Sequence, residues 1–118
     1  MILSTASYSA PEDKRSFKWY VSINFYVKII GGDTYKEISC MAQETVALGD
    51  KIDWTVFRVP LLKGTTWTEN AGDVNAVCIG DEQGRDGLFL DRGRLANWIL
   101  SELSEGKWNH MCPALANA

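Results

Sequence analysis

The spacing of apolar residues changes along the chain, and the changes mark out its elements. Phe17, Tyr20, Val21, Asn24, Phe25, Lys28 and Ile29 fall at helical intervals. Ser16 stands ready to cap them, and Gly31-Gly32 stops the run, which predicts a helix from Phe17 to Ile30. Asp33 or Thr34 caps a second helix, with Glu37 set three residues beyond Thr34 as in a capping box. Tyr35, Ile38, Met41, Ala42 and Thr45 share one side of it, and it ends near Leu48-Gly49. Ile52 to Val59 is rich in β-branched and aromatic residues and reads as a strand, which Pro60 ends because it lacks an N–H.

Lys63 to Asn70 reads as an irregular loop, Val74 to Ile79 as a second apolar run, and Gln83 to Gly87 as a turn before a short strand, Leu88 to Leu90. Asp91 is placed to cap a last helix, Arg92 to Glu105, with Leu95, Trp98, Ile99 and Leu103 on its apolar face. Gly106 closes that helix, and the segment after it, holding Pro113, reads as a loose tail. Met1 to Ser4 reads as the end of a strand rather than a whole one, so an earlier part of the fold is expected. A helix followed by a nearly all-apolar strand suggests a parallel sheet covered on both faces. Pattern alone leaves a small α+β domain as the alternative.

Composition narrows the partners more than the fold. The 118 residues, 46% hydrophobic, suffice for one domain with a real core. Charged residues make up 23% and the net charge is -3, with no Lys/Arg cluster, so no nucleic-acid partner is expected. The apolar stretch Phe17 to Ile30 contains Lys18, Ser22, Asn24 and Lys28, too polar for a membrane span. Met1-Ile2-Leu3 is too short for a signal peptide core, so a cytoplasmic chain with no membrane partner is expected. Cys40, Cys78 and Cys112 lie far apart, with His110 the single histidine; this pattern suits neither zinc nor a disulfide framework. Five tryptophans could suggest a carbohydrate platform, but Trp19, Trp54 and Trp98 sit in apolar element patterns that favour core packing.

The run Asp53-Trp54-Thr55-Val56-Phe57-Arg58-Val59-Pro60, after an acidic residue late in a helix (Glu44) and a Gly-containing turn, resembles a segment of the atypical short-chain dehydrogenases. These NAD(P)-binding proteins include flavin reductase-like enzymes and NmrA-like regulators. Leu3-Ser4-Thr5 is similar to the end of that family's fifth strand, and Asp91 to Ala96 to the start of its late helix. Gly106-Lys107-Trp108 followed by Pro113-Ala114-Leu115 is similar to its closing segment. The resemblance implies an α/β fold, a partial Rossmann-like parallel sheet flanked by helices, with residues 1–118 forming the C-terminal half of an NAD(P)-binding domain. It implies NADP or NAD as cofactor, an oxidoreductase type of activity, and a further small molecule of unread identity. It also places cofactor contacts at Arg58, Val59, Pro60, Leu61 and Leu62, with the hydroxyls of Ser4 and Thr5 nearby. For Arg58 a strand-end salt bridge with Asp53 or Glu44 competes equally with a ligand role. For Pro60 simple strand termination is the stronger reading.

Two departures from the family pattern matter. No strand is followed by a Gly-x-Gly-x-x-Gly turn, so the N-terminal β-α-β unit that holds the pyrophosphate is lacking. Nor is there a Tyr-x-x-x-Lys pair: Tyr35 is followed four residues on by Ser39, and Tyr8 by Glu12. This chain alone is therefore expected to be inactive. A non-catalytic NmrA-like redox sensor and a truncated product without nucleotide function stand as alternatives. The helix from Phe17, with Trp19, Phe25 and Tyr26 on several faces, leaves room for a homo-oligomer.

Overall fold

The computed structural model describes the backbone of residues 1–5, 8–30, 32–64 and 71–118, with side chains throughout except at 26–30, 32 and 35. Gly31, most of the expected loop Lys63–Asn70 and the Tyr35 side chain lie outside the described residues. The elements run β1 (Ile2–Thr5), α1 (Phe17–Ile30), α2 (Gly32–Val46), β2 (Val56–Val59), β3 (Leu61–Lys63), β4 (Val74–Val77), β5 (Phe89–Asp91), α3 (Arg92–Glu105) and β6 (Ala114–Asn117). The architecture is α/β, a sheet of mostly parallel strands with helices on both faces.

The main sheet has the order β1-β2-β6-β4. β1 pairs parallel with β2, in a register that sets Ser4 beside Arg58 and Thr5 beside Val59. β6 runs parallel to β2, with Arg58 opposite Ala114. The sheet is mixed rather than purely parallel, because β4 joins the far side of β6 antiparallel. β3 and β5 form a separate parallel pair. The expected tail is therefore an inner strand. A backbone relay feeds it into place: His110 N–H donates to the Trp54 carbonyl (2.6 Å), Val56 N–H to the Met111 carbonyl (3.1 Å) and Arg58 N–H to the Pro113 carbonyl (2.8 Å). The ladder of β2 is shorter than its sequence pattern, since Asp53 and Trp54 precede it and Thr55 makes only an isolated bridge to Met111.

Alternation along the strands sorts the core into two layers. On one face Val56 packs with Trp54, Ala42 of α2, Tyr8, Ala10 and Cys112, while Trp19 of α1 packs with Ile79 and Ala114. On the other, Phe57, Val59 and Leu115 meet Leu90 and Leu95, with Trp98 and Ile99 of α3 against them. α3 ends as its sequence predicts, in a left-handed Gly106 whose N–H reaches the Glu102 carbonyl. Its first turn differs. Asp91 makes no side-chain cap and instead accepts from Asn117 Nδ2 at 3.2 Å and faces Arg94 at 3.3 Å.

Candidate functional site

In an open parallel sheet, ligands settle beyond the carboxyl ends of the strands, where loops leave a crevice. Here that end is formed by Ser4 and Thr5 of β1, Arg58 and Val59 of β2, and Pro60 leading into Leu61 and Leu62 of β3. The register brings the first four together as neighbours across one ladder. Leu61 and Leu62 turn away to pair with Phe89 and Leu90, forming a small second sheet beside the mouth.

Exposure divides the seven. Ser4, Arg58 and Val59 are buried, Thr5, Pro60 and Leu62 are half-buried, and Leu61 is exposed. Thr5 and Pro60 to Leu62 thus form the accessible rim, with the buried three beneath. The hydroxyl of Ser4 is sealed in the interior with no hydrogen-bond partner among the described residues. An orphaned buried hydroxyl carries a real desolvation cost, about 1–3 kcal/mol.

Arg58 uses its whole guanidinium on the fold. Its Nε and Nη2 donate to the Cys112 carbonyl at 3.0 and 2.7 Å, and Nη1 donates to the Tyr8 carbonyl at 3.2 Å. Nη1 and Nη2 together clasp the Asp13 carboxylate, the second contact at 2.8 Å. All five guanidinium N–H groups are thereby used, so Arg58 keeps no donor for a ligand. Its partner is Asp13, not Asp53 or Glu44. The same carboxylate accepts the backbone N–H of Ala10 (2.9 Å) and of Ile79 (3.0 Å). One ion pair therefore pins the loop after β1 to the centre of β2 and to the end of β4.

Burial governs the titratable groups around this knot. Burial pushes the Cys112 thiol up to about 11, although the nearby Arg58 cation pulls the other way. Tyr8 is raised chiefly by burial and then by Cys112, and Cys78 by burial and then by Asp13. None of the three is set up to give up a proton near neutral pH. Lys14, six residues on from Tyr8, is engaged by Glu82 at 2.6 Å.

A second polar hub stands beside the first. Asp86, itself buried, accepts from Trp19 Nε1 (3.1 Å), Lys18 Nζ (3.0 Å) and Gly80 N–H (2.8 Å). Between the hubs and the start of α1 lies an open groove of about 640 Å3, bordered by Ser9, Asp13, Phe17, Tyr20 and Ile79. A longer groove of about 780 Å3 runs along α3 past Asp73, Arg94, Trp98, Glu102 and Trp108. Sequence reasoning reached neither Asp13 nor Asp86. Asp13 lies 45 residues from Arg58 and Asp86 lies 67 from Trp19, and no local spacing joins such pairs.

Among the described residues no His, Cys, Asp or Glu cluster could hold a metal ion, and Cys40, Cys78 and Cys112 are free thiols. No helix of the described residues is long and apolar enough to cross a membrane. No family model matches the chain, and no curated protein or solved structure matches it either.

Proposed function

We propose that this chain is the C-terminal part of a Rossmann-like NAD(P)-binding domain of oxidoreductase type, which works with a phosphate-binding β-α-β unit absent from these 118 residues. The observation that carries this reading is the parallel run β1-β2-β6, flanked by helices on both faces, with β1 paired on one side only among the described residues. An added parallel strand beside β1 extends the sheet past Ser4 and Thr5. Leu3 of that strand is 46% exposed, an apolar residue at an open edge that carries neither lysine nor proline to guard it. The glycine-rich turn of the added unit then faces the rim made by Thr5, Pro60, Leu61 and Leu62, where the nicotinamide end of NADP or NAD is received.

Within that reading a non-catalytic, NmrA-like sensing role has one observation in its favour. Proton transfer to a carbonyl wants a tyrosine with a lowered pKa, whereas burial raises Tyr8 and Lys14 is tied to Glu82. Calorimetric titration with NADPH and NADH tests the nucleotide reading. The 118-residue chain should show no binding tighter than about 1 mM, and the chain extended by the in-frame sequence before Met1 should bind at micromolar level. Micromolar binding by the short chain overturns the need for a second unit. An extension without a glycine-rich β-α-β unit, or one that does not bind, overturns the nucleotide reading. Turnover of a quinone, flavin or carbonyl panel by the extended form overturns the sensing role.

A further inference from the structure

We infer that the groove along α3 binds a small organic cation with N–H donors, an alkylammonium or alkylguanidinium, held by the Glu102 carboxylate. The inward stripe of α3 runs through Leu95, Trp98 and Ile99, packed with Phe57 and Leu115, and its next position is Glu102. Glu102 is 6% exposed, whereas Leu100 (61%) and Leu103 (66%) turn outward. A helix that takes a glutamate inside and leaves two leucines outside is not arranged for packing alone. A buried carboxylate also needs partners, because losing its water is costly.

The fold supplies only part of them. Glu102 Oε1 accepts the Trp108 N–H at 2.6 Å. Oε2 accepts no hydrogen bond among the described residues, yet it is not one of the polar atoms sealed without a partner. It therefore opens on the groove of about 780 Å3 that Glu102 borders. An ionised carboxylate accepts about four hydrogen bonds, so most of its capacity is left for what enters the groove.

Charge and shape select the ligand. The two cations beside the groove are engaged elsewhere. Lys107 pairs with Glu105 at 2.5 Å, and Arg94 faces Asp91 at 3.3 Å and donates to the Asp73 and Ala118 carbonyls. Lys107 is raised first by its hydrogen bond to Glu105 and only last by the charge of Glu102. No basic side chain among the described residues forms an ion pair with Glu102. Trp98 and Trp108 border the same groove, and an indole both attracts a cation and covers an alkyl stem. A sugar would use the indoles but leave the charge uncompensated. A cation with N–H donors answers both, in a volume of the size small-molecule sites have.

This end of the groove is remote from the nucleotide rim. The Trp108 carbonyl accepts from Thr55 Oγ1 at 3.0 Å, just before β2 begins, whereas Pro60 to Leu62 follow its end. The two sites lie at opposite ends of one strand, and the inference does not depend on the nucleotide reading.

NMR titration of the isotope-labelled chain tests it, with n-pentylamine, n-butylguanidinium, tetramethylammonium, n-pentanol and cellobiose as probes. The first two should bind at about 1 mM or tighter, shifting the indole N–H of Trp98 and Trp108 and the Trp108 amide. Whichever binds more tightly names the head group. Pentanol lacks the charge and tetramethylammonium lacks N–H, so each should bind about 10-fold more weakly or worse. Glu102→Gln keeps an acceptor for the Trp108 N–H but removes the charge, and should weaken binding by about 10-fold or more. Glu37→Gln, the same charge change on an exposed part of α2, should leave it unchanged. Binding of neither cation, equal or tighter binding of any other probe, or undiminished binding to Glu102→Gln overturns the inference. So do wild-type shifts that cluster at Thr5 and Leu61 instead of Trp98 and Trp108, a readout that holds even if Glu102→Gln folds poorly.

Discussion

The two faces of the main sheet are built on opposite principles. On the α3 face, Phe57, Val59, Leu90, Leu95 and Leu115 pack with one another, and the buried Glu102 near the end of α3 is taken up by the Trp108 N–H at 2.6 Å. On the α1/α2 face, the same strands turn inward a sealed serine hydroxyl and a guanidinium that is 1% exposed. The difference arises from a single residue step in β2, since Phe57 and Arg58 must point to opposite sides. The apolar face needs only volume and shape. The polar face needs partners, and it draws them from far along the chain: Tyr8, Asp13 and Cys112 all close on Arg58. A buried ion pair contributes little net stability compared with apolar packing. What it contributes here is position, because the clasp fixes the loop after β1 and hence the floor of the expected crevice.

Breaking the clasp should have the largest effect. Arg58→Met leaves the Asp13 carboxylate and two carbonyls without their donor, and should cost about 3–5 kcal/mol in urea unfolding. Adding Asp13→Asn should recover part of that loss; no recovery would mean that the arginine acts through packing alone. On the opposite face, Leu90→Ala at a fully buried position should cost about 2–5 kcal/mol. Its cost should not change between pH 5 and 8. A pH-dependent cost would show that the apolar face is coupled to titrating groups.

The junction between the hubs gives a smaller, geometric effect. Gly80 holds φ at +83°, and a Cβ there would lie 2.8 Å from the Lys14 carbonyl oxygen. Gly80→Ala should therefore cost about 1–3 kcal/mol, checked by thermal unfolding. The least costly change sharpens the comparison at the surface. The Arg85 side chain donates to Asp81 and holds its carboxyl down from 3.8 to about 2. That contribution is present above pH 3.8 and is lost as the pH falls through about 2. Carboxyl chemical shifts should titrate with a midpoint of about 2, and a midpoint near 3.8 would show that the Arg85 contact does not persist in solution.

Periodic features were legible in the sequence. α1 and α3 begin and end where their spacing and glycines indicate, and Val56 to Val59 stands out by its residue types. β6 was hidden for a physical reason: Ala114, Leu115, Ala116 and Asn117 have little strand propensity of their own, and their burial between β2 and β4 makes them a strand. The antiparallel course of β4 was equally silent, because an apolar run carries no direction. Ser4 and Thr5 do lie beside Arg58 and Val59, a pairing the sequence did not specify, and Arg58 was not legible as a structural hub. A charge in a strand invites a search among near neighbours, and its true partner arrives from a loop that only the folded chain brings close.

The place of β6 also bears on how the protein is made. Strands β1 and β2, with α1 and α2, can assemble early, and β4 can gather with α3. The β3-β5 pair links the two groups at one end, but within the main sheet no ladder joins them until Ala114–Asn117 slides between them. At ribosomal speeds of about 5–20 residues per second, the first group waits several seconds for the last. Throughout that interval the inner edge of β2 is open to any strand that passes. Nascent chains should therefore depend on chaperone cover until residue 117 has cleared the exit tunnel, and a stop codon at Pro113 should leave the β1-β2 pair and the lone strand β4 linked only through the β3-β5 pair.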